Sequence, residues 1–153
     1  MAALTDSSAP TQITVLVVDD EPLIRSFLQR LLEKELKYNV LAAASGEEAL
    51  SVSRQCAQRI DILVSDIDMR KMNGIQLYTN IAKERPETAV LFVSASAREF
   101  QDSYPDWTFL KKPFAPRDFV TKVQEVYSSQ LQADRGQRPK SEHAQETSPQ
   151  TRP

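Results

Sequence analysis

ILVSDIDMRKMNG, residues 62–74, begins as a continuous apolar run and sets two acids, Asp66 and Asp68, where that run ends. Apolar residues without polar alternation are what a strand covered on both faces requires. A second run closes the same way: ITVLVVDDEP, residues 13–22, stops on Asp19 and Asp20. Two buried strands that end on carboxylates would place charge at the rim of a sheet.

Working outward, YNVLAAA (38–44), AVLFVS (89–94) and TFLK (108–111) complete five strand candidates with ITVLVV (13–18) and ILVS (62–65). Helix-like segments separate them. Pro22 stands at a helix start, and Leu23, Ile24, Phe27, Leu28, Leu31 and Leu32 repeat with helical spacing. Ser45 followed by Glu48 predicts a capping box, after which Ala49, Val52 and Cys56 share one face and make Cys56 a core thiol. A third helix follows Gly74 and a last one follows Pro116. Ser96 with Glu99 predicts a second capping box opening a short fourth helix, broken at Tyr104-Pro105.

Strand and helix thus alternate five times, which predicts an α/β fold: a doubly wound, five-stranded parallel sheet with right-handed crossovers. Ligands of such sheets bind outside the carboxyl ends of the strands, the edge on which both acid pairs fall. Residues 1–11 and 132–153 lack large apolar side chains in any periodic pattern and are expected to be disordered, leaving a single domain over 12–131.

Composition narrows the function. A net charge of −2 in 153 residues gives no basic footprint for direct nucleic-acid binding. No apolar run reaches the ~20 residues needed to span a bilayer, so no membrane insertion is expected. The lone Cys56 excludes an internal disulfide and, with no secretory leader pattern, suggests a cytoplasmic protein.

Asp19, Asp20 and Asp66 would converge at the sheet edge. Like charges about 4 Å apart repel by ~4 kcal/mol at an effective dielectric near 20, so the cluster either takes up protons or holds a cation. Oxygen-only ligands beside open space suit Mg²⁺, which keeps waters and reaches for phosphate. FLKKPF puts Lys112 at the end of the fifth strand, where an ammonium could pair with a phosphoryl oxygen, and SAS puts the Ser94 hydroxyl at the end of the fourth. Each residue alone has an ordinary structural reading; their joint placement at one edge points to a phosphoryl site.

VLVVDDEP, LVSDIDMRKMNG, VLFVSAS and FLKKPF together resemble the four signature segments of response-regulator receiver domains of two-component signalling, in order, over residues 12–131. The resemblance implies the flavodoxin-like (βα)5 receiver fold and a phosphoacceptor domain that catalyses only its own aspartyl phosphorylation and dephosphorylation. Asp66 matches the acceptor aspartate. Asp20, Asp66 and the backbone carbonyl of Asp68 match the Mg²⁺ ligands, with Asp19 acting mainly through water. Lys112 matches the lysine that pairs with the acceptor and then with the phosphoryl group, Ser94 the switch hydroxyl, and Phe109 the aromatic that turns inward after it. The implied partners are a histidine kinase or histidine phosphotransfer protein and an unidentified downstream protein. The sole histidine, His143, lies in the expected tail, so the phosphoryl donor must come from elsewhere.

The chain also departs from the pattern. Arg70 stands where the family usually has proline, the stretch from Ser94 to Lys112 is about one helical turn short, and the usual glycine before the fifth strand is missing, so a shortened or irregular fourth helix is expected. Asp68 and Ser96 occupy the positions at which the family tunes phosphate lifetime, although helix capping alone would explain Ser96. In the family the Lys112-Pro113 bond is typically cis, aiming Lys112 at the site. Two other functions fit parts of the sequence: a receiver-like scaffold that is never phosphorylated, and a haloacid-dehalogenase-type phosphohydrolase, which also uses Asp-x-Asp but at the end of its first core strand.

Overall fold

The computed structural model describes residues 12–147, with side chains through residue 136. Five parallel strands, β1 (Thr14–Val18), β2 (Asn39–Ala43), β3 (Ile62–Ser65), β4 (Ala89–Ser94) and β5 (Thr108–Lys111), form one sheet in the order β2-β1-β3-β4-β5. The helices are α1 (Pro22–Glu35), α2 (Gly46–Gln55), α3 (Gly74–Glu84), α4 (Ala97–Gln101) and α5 (Pro116–Thr147). The order reverses between β1 and β3, and their register pairs Val18 with Ser65. Asp19 and Asp66 therefore leave the sheet side by side, at the crevice where such folds bind ligands.

Alternate residues of each central strand feed two cores. Leu16, Val18, Leu63 and Phe92 face Ala49, Leu50, Leu77 and Ile81 of α2 and α3, while Val15, Val17, Ile62, Val64 and Leu91 face Leu28 and Leu32 of α1 and Phe119 and Val123 of α5. Both faces are dry, which is why β1 and β3 read as unbroken apolar runs. The α1 stripe is narrower than its sequence suggests: Leu23 is 85% exposed and Phe27 39%, because only the Leu28 and Leu32 side of the helix meets the sheet. Among the described residues no helix is long and apolar enough to cross a membrane.

Local signals explain most boundaries. Pro22 starts α1, and Ser45 Oγ accepts from Glu48 N–H at 3.1 Å to open α2. Glu48 returns its own bond to Ala44 N–H rather than Ser45 N–H, so that box is one residue out of register. The fully reciprocal box is on α3, between Asn73 and Gln76. Arg85 closes α2 from outside, donating to the Ser53 hydroxyl and to the carbonyls of Ser53, Cys56 and Gln58. Cys56, expected as a core thiol, caps α2 half-buried against the core edge. Tyr78 donates to the Thr88 carbonyl at 3.1 Å, and burial raises its pKa.

Two expectations need correction. Helix α4 is short, as its sequence implies, but Ser96 makes no side-chain cap; its hydroxyl is taken by a carboxylate from another loop. The chain then turns through Tyr104 and Trp107, whose rings stack at 4.5 Å and pack, partly buried, against the core. Helix α5, in turn, runs to Thr147, past residue 131, the expected end of the domain. Once a helix is nucleated each further residue adds a hydrogen bond, and within this extension Arg59 holds Asp134 at 2.8 Å. The expected disorder of 1–11 and 148–153 lies outside the described residues.

Candidate functional site

The site is assembled from the carboxyl ends of four strands. After β1, Asp19 is fully buried; its Oδ1 accepts from Glu21 N–H at 2.9 Å, its Oδ2 accepts from Lys112 Nζ at 2.9 Å, and its carbonyl accepts from Arg25 at 2.7 Å. Asp20, next in sequence, is exposed. After β3, Asp66 is 7% exposed, and its Oδ1 accepts from Ile67 N–H at 2.7 Å and from Asp68 N–H at 3.3 Å. Its Oδ2 faces Lys112 Nζ at 3.4 Å. Carboxylate oxygens of Asp19, Asp20 and Asp66 lie within 4.8 Å of one another.

Lys112, one residue past β5, is the countercharge. Its backbone N–H bonds the Ser94 carbonyl at 3.0 Å, its peptide bond to Pro113 is cis, and its ammonium also reaches Glu21 at 3.5 Å. Ser94, fully buried at the end of β4, donates to Asp68 Oδ2 at 3.1 Å, and Ser96 donates to the same oxygen at 2.7 Å. Phe109, expected to turn inward on switching, is buried, 6% exposed and stacked on Phe92 at 5.3 Å.

These residues perturb one another. Burial raises the Asp66 pKa and the Asp19 charge adds to it, against the lowering pull of Lys112, the Ile67 amide and the nearby Ser94 hydroxyl. Ser94 stands within electrostatic reach of Asp66, although its well-formed bond goes to Asp68. Burial works to lower the Lys112 pKa, but the hydrogen bond to Asp19 and the charges of Asp19, Asp66 and Glu21 outweigh it and raise it. A buried carboxylate opposed by acids and faced by an ammonium is a place where negative charge can be added only if cations neutralise it.

Residues 15–124 match the family described as the response regulator receiver domain. The chain belongs to that family. It is therefore a receiver, a signalling domain of two-component systems rather than a classical enzyme. Among curated relatives, the sensor kinase CckA of Brucella abortus (strain 2308) is 36% identical over 121 residues, covering 76% of this chain and 13% of the relative. The alkaline phosphatase synthesis transcriptional regulatory protein PhoP of Bacillus subtilis (strain 168) is 31% identical over 121 residues, covering 73% and 47%. The receiver thus spans less than half the length of these relatives. A CheY-like receiver domain protein from Methanospirillum hungatei JF-1 superposes with a TM-score of 0.70 at 26% identity, covering 80% of this chain and 98% of that one. The receiver domain of the hybrid histidine kinase CckA gives 0.64 at 32% identity, covering 74% and 98%.

Receiver domains bind Mg²⁺ at an acidic aspartate cluster, and this receiver has such a cluster. The donors fit the ion: hard carboxylate oxygens only, two of them buried and one open to water. Both Asp19 oxygens already hold partners, Glu21 N–H and Lys112. Asp66 Oδ1 likewise holds the Ile67 and Asp68 amides, and its Oδ2 has only the longer 3.4 Å contact with Lys112, which leaves exposed Asp20 as the least engaged of the three.

Reading the sequence brought Asp19, Asp20, Asp66, Ser94 and Lys112 to this edge, where the structure also places them. It missed Glu21 and Arg25, which brace the Lys112 and Asp19 ends. It also missed why residue 74 is glycine: a Cβ there would overlap the Asp66 carbonyl, while Gly74 N–H bonds the Ile67 carbonyl at 2.9 Å. The MNG that ends the opening stretch was the available signal, because a helix start pressed against the Asp66 backbone needs a residue without a side chain.

Proposed function

We propose that this receiver accepts a phosphoryl group on Asp66 from the phosphohistidine of a histidine kinase or phosphotransfer protein, acts in the cytoplasm, and thereby switches a docking surface for a downstream protein. The carrying observation is the placement of Lys112 Nζ 2.9 Å from Asp19 and 3.4 Å from Asp66, at the mouth of a three-acid cluster. In the transfer, the donor's N–P bond breaks, an O–P bond forms on Asp66, and the imidazole leaves to be protonated. Phosphoryl transfer asks the protein mainly for positioning and charge neutralisation. The amides of Ile67 and Asp68 fix the Asp66 carboxylate, and Lys112 follows the charge from the carboxylate to the phosphoryl oxygens. Asp20, Asp66 and the Asp68 carbonyl would hold Mg²⁺, with Asp19 contributing through water; when bound, the ion neutralises charge on the transferring group. Ser94 is the group that senses the added charge of nearly two units, and Phe109 belongs to the same switch.

The buried Phe109 favours a second reading, a receiver-like scaffold that is not phosphorylated and whose output face is already set. One experiment separates the two: incubation with acetyl phosphate and Mg²⁺, read by intact mass for wild type and Asp66→Asn. A phosphate-sized gain in the wild type alone is expected. An equal gain in the variant would assign the acceptor elsewhere, and no gain in either would support the scaffold.

A further inference from the structure

Ser94 carries one hydroxyl proton, and in this structure that proton goes to Asp68. Its Oγ donates to Asp68 Oδ2 at 3.1 Å while accepting from Ser96 N–H at 3.2 Å. Ser96 Oγ donates to the same Asp68 oxygen at 2.7 Å. The two hydroxyl oxygens are themselves 3.2 Å apart and could bond each other, but an anionic oxygen is the stronger acceptor and draws both protons. Asp68 in turn belongs to the acceptor loop: its N–H bonds Asp66 Oδ1 at 3.3 Å. One residue therefore touches the acceptor with its backbone and occupies the switch hydroxyl with its side chain.

We propose that Asp68 is a latch, whose carboxylate holds the Ser94 and Ser96 hydroxyls so that a phosphoryl group on Asp66 obtains Ser94 only by displacing it. The proposal rests on Asp66 as acceptor. Switching then becomes a contest between two anions for the same donors. The incoming group has the advantage, carrying up to about two negative charges against one, and it also repels Asp68. The displaced carboxylate is exposed and moves directly into water. Ser96 is the residue before α4, and its hydroxyl caps nothing while Asp68 holds it. Release of the latch frees that hydroxyl at the residue preceding α4, which links the acceptor to α4 without any turn of Phe109.

The test is equilibrium binding of beryllofluoride, a tetrahedral stand-in for a phosphoryl group on a carboxylate, to the full chain in Mg²⁺. Fluorescence of Trp107, the sole tryptophan, and fluorine NMR of the bound ligand give the affinity. Asp68→Ala is expected to bind about tenfold more tightly, equivalent to ~1.4 kcal/mol. Asp68→Asn, whose amide oxygen still accepts, should fall between it and wild type. The gain from Asp68→Ala must shrink when Ser94→Ala or Ser96→Ala is already present. A gain of the same size in both serine backgrounds would show plain charge repulsion and overturn the latch, as would unchanged or weaker binding by Asp68→Ala. A loss of more than about tenfold in Mg²⁺ affinity without beryllofluoride, measured by the same fluorescence, would make the Asp68 carboxylate a metal ligand and also overturn it. If wild type takes up neither beryllofluoride nor phosphate from acetyl phosphate, the acceptor assignment fails and the latch falls with it. Uptake by wild type with no effect of Asp68→Ala overturns the latch alone.

Discussion

Replacing Asp66 by asparagine should stabilise the metal-free receiver, and the distances say why. At 4.8 Å or less and an effective dielectric near 20, the Asp19–Asp66 repulsion is at least about 3.5 kcal/mol. The attraction of Lys112 at 3.4 Å is about 5 kcal/mol on the same scale. Those two charges alone would leave an ionised Asp66 slightly favoured, by less than the several kcal/mol that removing a carboxylate from water costs. The raised Asp66 pKa has the same sign. Asparagine keeps the carbonyl that accepts from Ile67 and Asp68 and removes only the charge. The expected gain is about 1 kcal/mol, or roughly 3–4 °C in midpoint for a domain of this size. Thermal unfolding in EDTA, followed by circular dichroism, reads it directly. With Mg²⁺ the order should reverse: wild type gains about 2.7 kcal/mol at a hundredfold excess over Kd, and the variant, with one carboxylate fewer in the cluster, gains less. A clear drop in the EDTA midpoint of Asp66→Asn would mean that the carboxylate is held chiefly as a structural partner of Lys112, and the repulsion argument would be wrong.

Three further outcomes follow from the structure. Gly74→Ala should cost about 1–3 kcal/mol in urea unfolding and reduce the Mg²⁺-induced stabilisation, since the new Cβ must push the Asp66 backbone aside; unchanged values for both would contradict the close approach. Because the Tyr78 pKa is raised in the fold, its stabilisation is complete below the unfolded value of about 10 and is lost as pH rises through the folded one. Unfolding free energy should therefore decline above about pH 10, and less steeply in Tyr78→Phe; identical slopes would refute this. Arg85→Ala should cost about 1.5–3 kcal/mol, as hydrogen bonds to a charged group are lost, with faster amide exchange at the carboxyl end of α2; exchange that speeds up only elsewhere would count against its role there.

The parts of the fold that were legible in the sequence are those whose signal is local. β1 and β3 announce burial on two faces by lacking polar alternation, and Pro22 and Ser45 mark helix starts. Asp19, Asp20, Asp66, Ser94 and Lys112 could be placed at one edge because parallel strands share a carboxyl end. What failed depended on partners distant in sequence. Ser96 satisfies the pattern of a helix cap, yet Asp68, 28 residues away, takes its hydroxyl. Leu23 and Phe27 have helical spacing, but which part of the stripe is covered depends on how α1 lies on the sheet. The extension of α5 past residue 131 lies in a stretch with no apolar stripe for hydrophobic periodicity to register, and Asp134 within it is held by Arg59, 75 residues away.

The bond between Lys112 and Asp19 joins residues 93 apart in the chain. Since β5 lies at the margin of the sheet, a polypeptide emerging from the ribosome carries all three aspartates long before it carries their ammonium. Docking of the last strand is thus rewarded electrostatically as well as by burial, and a chain truncated after β4 would keep the cluster without the ammonium that faces its carboxylates. The acids and their ammonium come together only when β5 takes its place in the sheet.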